Sequence, residues 1–329
     1  MRVISMGIGF LTLMAAAPAL AAPDVVVSLK PLHSLVAGVM EGVGEPVLLV
    51  QGAASAHTYA LRPSDAAALE GADIVFWIGP QMETFLETPL ETLAGGAAAY
   101  AMMEVDGMDL LPVREGGLFE PHDHDHEGHE HEDHEDDHDD HDHEDEAHEH
   151  EEHEHEDQGA VDAHIWLDPR NARLMVAAIT DILMTADPEN AETYNANGMA
   201  LSQDLSALDA EIAATLEGVD GAWFAFHDAY HSFEARYGIE ATGTFTINPE
   251  VAPGAARLIE IREAIAAEGA ACIFAEPQFS QNVIDVVASE TGARVGVLDP
   301  HGADLEPGRD LYFALLRNLA ANLADCLTR

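Results

Sequence analysis

The sequence is poor in positive charge and in aromatic residues. Only 13 of its 329 residues are Lys or Arg, against 61 Asp or Glu, and the formal net charge is −48. A protein with this charge repels nucleic acid and anionic lipid and attracts cations, so we exclude a nucleic-acid-binding role. Aromatic residues make up 6% of the chain, but hydrophobic residues make up 47%, which is ample for two ordinary domain cores.

Cysteine is almost absent, because the chain has only Cys272 and Cys326, both in its last fifth. In an exported protein an even, minimal count favours one structural disulfide. Such a bond would stabilise the fold by roughly 4 kcal/mol, because it removes chain entropy from the unfolded state. The alternative is a thiolate metal site, which would need reduced thiols in an oxidising compartment.

Long apolar runs are missing beyond the N-terminus. Residues 1–21 have the pattern of a secretory signal, with Arg2, an apolar stretch at 3–14 and a small-x-small cleavage site at 19–21. We therefore expect an exported protein whose mature chain begins at Ala22. A membrane anchor is the weaker alternative, because the run is short and ends in a cleavage pattern. No Cys follows it to carry a lipid, and no later segment is apolar enough to span a bilayer.

Histidine and acidic residues are concentrated in one tract, residues 121–157, which contains 13 His and 21 Asp or Glu. With no apolar residue larger than Ala, the tract cannot bury enough surface to order itself, and we expect a mobile loop. Imidazole and carboxylate groups suit divalent cations such as zinc, whereas a plain acidic spacer would not need the imidazoles. The predicted weak auxiliary metal ligands are His122, His124, His126, His129, His131, His134, His138, His141, His143, His148, His150, His153 and His155.

The rest of the chain alternates predicted strands and helices. This order implies right-handed crossovers and an α/β fold of two lobes, each with a parallel sheet flanked by helices. Apolar or small residues at steps of three and four from Tyr194 to Leu216 predict one long helix that joins the lobes. The predicted strands are 25–29, 46–50, 74–78, 222–226, 271–275 and 294–298. Besides the long helix, the predicted helices are 35–40, 63–71, 81–87, 171–184, 254–267, 278–291 and 309–327. The predicted domains are a signal peptide at 1–21, an N-terminal lobe at 22–187 that includes the tract at 121–157, a linker helix at 188–217 and a C-terminal lobe at 218–329.

Four potential metal ligands lie at or just beyond predicted element ends, two in each half: His57, His164, His227 and Asp299. Ligands of open α/β sheets bind outside the carboxyl ends of the strands, and sites between domains are favoured. Each residue alone is better explained as a hydrogen-bonded loop or core residue. Together, three imidazoles and one carboxylate make a four-coordinate shell suited to Zn²⁺. Of the other histidines outside the tract, His33 is expected to pack on the first helix, His231 to face solvent, and His301 to lie near the site entrance or behind the ligands.

Five segments carry a family resemblance: GAASAHTYALRPSDAAALEGADIVFWIGPQMETFL, DAHIWLDP, FHDAYHSFEARYGI, FAEPQFS and VLDP. They resemble the zinc-specific solute-binding proteins of bacterial ABC importers, the ZnuA type within the metal-binding cluster, over essentially the whole mature chain. The resemblance implies two lobes joined by one long helix, a periplasmic monomer, Zn²⁺ as the bound ion, an inner-membrane ABC permease as the partner and no enzymatic activity. It also implies a disulfide between Cys272 and Cys326, and metal ligation by His57, His164, His227 and Asp299.

Two positions distinguish this chain within the resemblance. Manganese and iron members usually have a carboxylate at the third ligand position, so His227 favours zinc. Some zinc members have an acidic residue before the first ligand; here Ala56 stands there, and a water or a bidentate Asp299 would complete the shell.

Three alternatives to zinc capture for an importer remain open. They are a secreted zinc buffer or chaperone that works through the tract, a manganese-type protein, and a zinc hydrolase with Glu276 as its base.

Overall fold

The computed structural model describes residues 22–114, 116, 118–119, 160–246, 249 and 253–328. The predicted signal peptide and the His-rich tract with its thirteen auxiliary ligands lie outside these residues. What we expect of them therefore stays a prediction. Within the described part of the chain, no helix combines the length and the apolar character needed to cross a membrane.

The N-terminal lobe is built on a parallel sheet with the strand order β2-β1-β3-β4. Its central strand β1 consists of three buried valines, as expected of a strand covered on both faces. Crossover helices connect the strands, and Pro31 and Pro63 each occupy the first turn of a helix, where a missing N–H is tolerated. The elements are β1 (Val25–Val27), α1 (Lys30–Val39), β2 (Val47–Leu48), α2 (Pro63–Glu70), β3 (Ile74–Trp77), α3 (Glu87–Thr92) and β4 (Ala98–Ala101).

The C-terminal lobe repeats this architecture with a second parallel sheet in the order β6-β5-β7-β8. The two sheets have the same topology, so the predicted repetition of strands and helices in the two halves is confirmed. The elements are β5 (Trp223–His227), α6 (His231–Tyr237), β6 (Gly243–Thr246), α7 (Ala255–Glu268), β7 (Cys272–Ala275), α8 (Asn282–Thr291), β8 (Arg294–Val297) and α9 (Leu311–Leu327). The last of them, α9, is the helix that closes the chain.

Two long helices follow the N-terminal sheet, α4 (Pro169–Ala186) and α5 (Ala191–Thr215), and α5 joins the lobes. The 25 residues of α5 make a rod of about 37 Å. A glycine inside such a helix lowers its stability by about 1 kcal/mol, and α5 contains Gly198. A Cβ at Gly198 would lie 2.2 Å from Oγ1 of Thr180 in α4. The glycine therefore allows the two helices to approach closely. The fold of two lobes joined by one long helix is confirmed, whereas the predicted residue boundaries of the lobes stay a prediction.

The largest buried apolar cluster extends through both lobes. It includes Leu35 of α1, Leu205 of α5 and Leu316 of α9, together with Trp223 and Phe274 of the C-terminal sheet. The lobes are thus packed on a shared core. Two smaller clusters cover the outer faces of the sheets.

A disulfide joins Cys272 to Cys326, with an S–S distance of 2.04 Å. Cys272 is the first residue of β7 and Cys326 lies in the last turn of α9, so the bond fastens the last helix to the C-terminal sheet. The predicted disulfide is confirmed.

Three elements were not predicted: β4, β6 and α6. The sequence of β4 is AAYA, which does not alternate between polar and apolar residues, and that of β6 is GTFT, which is only four residues long and begins with glycine. A helix was predicted at 81–87, but the chain forms a 3-10 helix at Thr84–Leu86 and continues into α3. Pro89 explains the shift, because proline fits the first turn of a helix better than its interior.

Candidate metal centre

Three imidazoles from different segments meet between the lobes. One ring nitrogen of each of His57, His164 and His227 lies within 4.8 Å of the other two. The ring centroids are 5.5 Å apart for His57 and His164, 5.8 Å for His57 and His227, and 5.2 Å for His164 and His227. No other set of three His, Cys, Asp or Glu side chains in the described part of the chain is placed in this way.

Each lobe supplies ligand candidates from the carboxyl-terminal edge of its sheet or from the chain that follows. His57 lies in the loop after β2, where its backbone N–H donates to Oγ of Ser55. His164 immediately precedes the 3-10 helix Ile165–Leu167 that leads into α4. His227 is the last residue of β5. A site built in this way lies between the two lobes, since its candidate ligands come from both.

Two buried carboxylates orient two of the imidazoles. Nδ1 of His164 lies 2.8 Å from Oδ1 of Asp162, and Nδ1 of His227 lies 2.7 Å from the carboxylate of Glu276. An ionised carboxylate only accepts hydrogen bonds, so both Nδ1 atoms carry the proton and both Nε2 atoms present a lone pair. Burial alone would raise the pKa of Asp162, but the contact with His164 holds that pKa below its usual value.

The distance between those two Nε2 atoms fits a tetrahedral ion. They are 3.4 Å apart, and no proton stands between them if both Nδ1 atoms donate. Two nitrogens at 2.0–2.1 Å from a tetrahedral Zn²⁺ are about 3.3–3.4 Å from each other. A cation between them would therefore be bound with ordinary bond lengths, and it would relieve the repulsion of two facing lone pairs.

The third imidazole is also prepared to bind a cation. Nε2 of His57 is buried and has no hydrogen-bond partner among the residues that the structure describes. Burial, and then the neighbouring His164, His227 and His301, lower the pKa of His57 to about 2. The ring is therefore neutral at any physiological pH, which is the form that binds metal. A buried polar atom without a partner is uncommon, and coordination of an ion would satisfy it.

Asp299, the fourth predicted ligand, is not part of this group. Its Oδ1 accepts hydrogen bonds from Gln278 Nε2 at 2.7 Å, from His301 N at 3.0 Å and from Gly302 N at 2.9 Å. Its Oδ2 accepts one, from Ala303 N at 2.5 Å. The carboxylate thus organises the turn that follows it, and Oδ2 keeps lone-pair capacity.

The other histidines outside the tract take different positions. His33 lies in α1, and its Nε2 is 3.0 Å from the carbonyl of Pro46. His231 was expected to face solvent, but it begins α6 and is half-buried with its Nδ1 atom enclosed, so that prediction is wrong. His301 is buried near the three imidazoles. The ring of Trp166 lies between them, with its centroid 5.4 Å from that of His301 and 5.3 Å from that of His164.

Neither orienting carboxylate was predicted from the sequence: Asp162 had no assigned role, and Glu276 was considered only as the base of a hydrolase. The Asp162-Ala163-His164 spacing was the available signal, because a carboxylate two residues before a histidine can reach its ring. Glu276 gave a weaker one, since it follows the strand β7 that pairs with the strand ending in His227.

Residues 25–326 match the family of the zinc-uptake complex component A, a periplasmic protein known as ZnuA. The chain belongs to the ZnuA family. The high-affinity zinc uptake system protein ZnuA of Brucella suis is 52% identical to this chain over 306 residues, which cover 93% of this chain and 92% of that one.

Solved structures share the fold of this ZnuA-family chain. A crystal structure of ZnuA superposes with a TM-score of 0.72 at 22% identity, and covers 93% of this chain and 99% of its own. The solute-binding protein FpvC from Pseudomonas aeruginosa, solved in complex with Mn²⁺, superposes with a TM-score of 0.73 at 19% identity over the same shares. At these identities the likeness concerns the fold alone.

We expect Glu276→Gln and Asp162→Asn each to weaken zinc binding by about 10- to 100-fold. An amide can donate to Nδ1, so each substitution frees the histidine to move its proton to Nε2 and lose its ligand lone pair. Competition titration against a chromophoric chelator measures the change. Glu83→Gln is the matched control, because Glu83 is also fully buried but accepts hydrogen bonds from Ser28 and from backbone amides. Losses no larger than that of the control would contradict the orienting role.

Stability without metal should fall as the pH drops below about 6.5, in part because of His301. Burial, and then His164 and His227, lower the pKa of His301 to about 3, whereas an unfolded histidine titrates near 6.5. Between these values the unfolded state binds one more proton, so each pH unit of acidification removes about 1.4 kcal/mol from the free energy of unfolding. Urea unfolding in chelator at pH 7 and pH 5 should give a shallower pH dependence for His301→Gln than for the parent. Equal slopes would show that His301 does not contribute.

Proposed function

We propose that this chain captures one periplasmic Zn²⁺ ion through His57, His164 and His227 and delivers it to the membrane permease of an ABC importer. The observation that carries the proposal is the meeting of three imidazoles from both lobes, two of them oriented by carboxylates and 3.4 Å apart at Nε2. The Brucella suis relative, whose name describes high-affinity zinc uptake, supports it. Zinc is the transported substrate, so the site must both bind and release it.

Asp299 is the proposed fourth ligand, through Oδ2. Within the described part of the chain that oxygen accepts only the Ala303 N–H, so a lone pair is left for a cation. Binding would require the carboxylate and the imidazoles to approach each other while Oδ1 keeps its three hydrogen bonds to the turn. A water molecule is the alternative occupant of the fourth position.

Binding without turnover fits the site better than hydrolysis. A zinc hydrolase needs an open metal position and a free general base. Glu276, the residue considered from the sequence as that base, accepts hydrogen bonds from Nδ1 and from the backbone N–H of His227. A carboxylate held in this way orients a ligand, and it would have to give up that contact to act on a substrate.

A manganese-type protein is the second candidate, because a Mn²⁺ complex has the same fold. Three imidazoles favour zinc, whereas harder carboxylate oxygens favour Mn²⁺. We expect His227→Glu to shift the ratio of Zn²⁺ to Mn²⁺ affinity toward Mn²⁺ by at least tenfold, as measured by competition titration of both metals. An unchanged ratio would argue that the third position does not determine selectivity.

The His-rich tract is proposed to supplement the ordered site. Its composition offers no apolar surface that could order it, and ordering costs about 1–2 kcal/mol per residue, so we expect its sites to be weak and several. Because the tract ends seven residues before His164, it would hold zinc near the centre at high effective concentration.

The experiment that tests the proposal is a metal-content and competition titration of the mature, chelator-stripped protein, with and without residues 123–156. The deletion should lower the number of bound zinc ions by more than one and leave the tightest dissociation constant within a few-fold. Loss of the tight site in the deleted chain would instead favour a zinc buffer that works through the tract.

A further inference from the structure

Lys30 is the only lysine of the chain, and it is buried where the lobes meet. It is the first residue of α1 in the N-terminal lobe. Its Nζ donates to three backbone carbonyls of the C-terminal lobe: those of Gly302 at 2.9 Å, Ala303 at 2.8 Å and Leu305 at 3.1 Å. An ammonium has three N–H donors and a compact charge, so three convergent carbonyls satisfy it fully.

The same turn is organised from its other side by Asp299. The N–H groups of residues 301–303 donate to the Asp299 carboxylate, while the carbonyls of 302, 303 and 305 accept from Lys30. The peptide groups of the turn are thus aligned between a negative and a positive side chain. Each charge is hydrogen-bonded to a different end of the peptide dipoles, and such charge-assisted bonds are about twice as strong as neutral ones.

A second contact fastens this turn to the segment that carries a candidate ligand. Nε1 of Trp166 donates to the carbonyl of Pro300 at 2.9 Å, and Trp166 is two residues from His164. The N-terminal lobe therefore holds the turn at two places, through Trp166 and through Lys30. Because Asp299 begins the turn, these contacts limit how far its carboxylate can lie from His57 and His164 before an ion draws them together.

We infer that Lys30 is a positioning residue of the metal centre, which acts by docking the turn 299–305 and so placing the Asp299 carboxylate for the ion. This inference rests on the proposed function for the ligand role of Asp299. It differs from a general contribution to stability, because an effect through the turn must depend on Asp299. The same helix also offers a contact of the merely structural kind: Oγ of Ser34 donates to the carbonyl of Arg309 and accepts from Tyr312 N.

A double-mutant cycle separates the two roles. Lys30→Met should weaken zinc binding at least tenfold in the otherwise unchanged mature protein but less than twofold when Asp299 is already Ala. Ser34→Ala should lower the midpoint of thermal unfolding and leave the zinc affinity within twofold. Equal losses with and without Asp299, or no loss in the unchanged background, would overturn the inference. Failure of the proposed function is recognised separately, because His227→Ala would then bind zinc normally.

Chemical rescue tests the ammonium itself and guards against a folding defect of Lys30→Met. Both native cysteines are in the disulfide, so Lys30→Cys introduces the only free thiol. Alkylation in denaturant without reductant with 2-bromoethylamine rebuilds an ammonium of nearly the same length, and iodoacetamide gives a neutral side chain of similar size. After refolding, the aminoethyl protein should recover zinc affinity to within a few-fold of the parent, while the carbamidomethyl protein stays at least tenfold weaker. Equal affinities of the two derivatives would overturn the role of Lys30.

Discussion

Replacing His227 by Ala is expected to weaken zinc binding by a factor on the order of 100 to 1,000. Four-ligand zinc sites bind with about 10–16 kcal/mol, so one ligand contributes roughly a quarter of this, and each 1.4 kcal/mol is a tenfold change. The whole contribution of this ligand should be lost, because His227 is buried and its Nε2 lies 3.4 Å from that of His164. Alanine leaves no atom there that could bind the ion.

The substitution is best measured in a chain that lacks residues 123–156, because a histidine of the tract could replace the lost ligand. Competition titration against a chelator of known affinity gives the dissociation constant. His33→Gln is the matched control: His33 is another buried histidine, and glutamine can keep the contact to the Pro46 carbonyl. If His227→Ala binds zinc as tightly as His33→Gln, the three-imidazole centre is not the tight site.

Three of the four candidate ligands could be located from the sequence because parallel sheets gather their ligands at one edge. His227 is the last residue of β5, and a strand that ends in a polar residue is visible as an apolar run followed by that residue. His164 marks the return of apolar residues after the tract. The convergence of these positions follows from the order of strands and helices, without any knowledge of individual side-chain directions.

Side-chain direction is what the sequence could not supply. Asp299 follows β8 at the same edge, yet its carboxylate accepts the backbone N–H groups of residues 301–303. Aspartate forms such local bonds whenever the following residues turn, and the pattern of residue types does not reveal whether it does. Glu276, like His227, could be placed at the end of a strand from the sequence. Its contact with the His227 ring, however, depends on the pairing of β5 with β7.

The weakly patterned elements were missed for a different reason. β4 reads AAYA, and alanine has little preference for strands, so its place in the sheet depends on pairing with β3, where Ile74 lies opposite Ala98. The seven-residue helix α6 is too short to display a period. Tertiary contacts decide such segments. The long helix α5, by contrast, repeats its buried positions over about five turns and could be predicted with its interior glycine.

Removal of the disulfide is expected to lower the free energy of unfolding by about 4 kcal/mol without loss of tight zinc binding. The bond closes a separation of 54 residues, and a loop of this length loses that much unfolded-state entropy in free energy. Cys272 is the first residue of β7, whereas Glu276 follows its last. At about 3.3 Å per residue the bond lies about 13 Å along the strand from the carboxylate that orients His227.

Urea unfolding of Cys272→Ala/Cys326→Ala in chelator should show the full loss of stability, and zinc titration should give a dissociation constant within a few-fold of the parent. The reduced parent protein is the control for the alanine side chains themselves. The helix α9 is also held by Leu315, Leu316 and Leu319 in the shared core, so the variant should still fold. A large loss of zinc affinity in the folded variant would mean that the disulfide at the first residue of β7 helps to hold the strand's last residues, and with them Glu276, in place. An unchanged free energy of unfolding would mean that this apolar packing already confines the last helix in the unfolded ensemble, so that the covalent bond removes no further entropy.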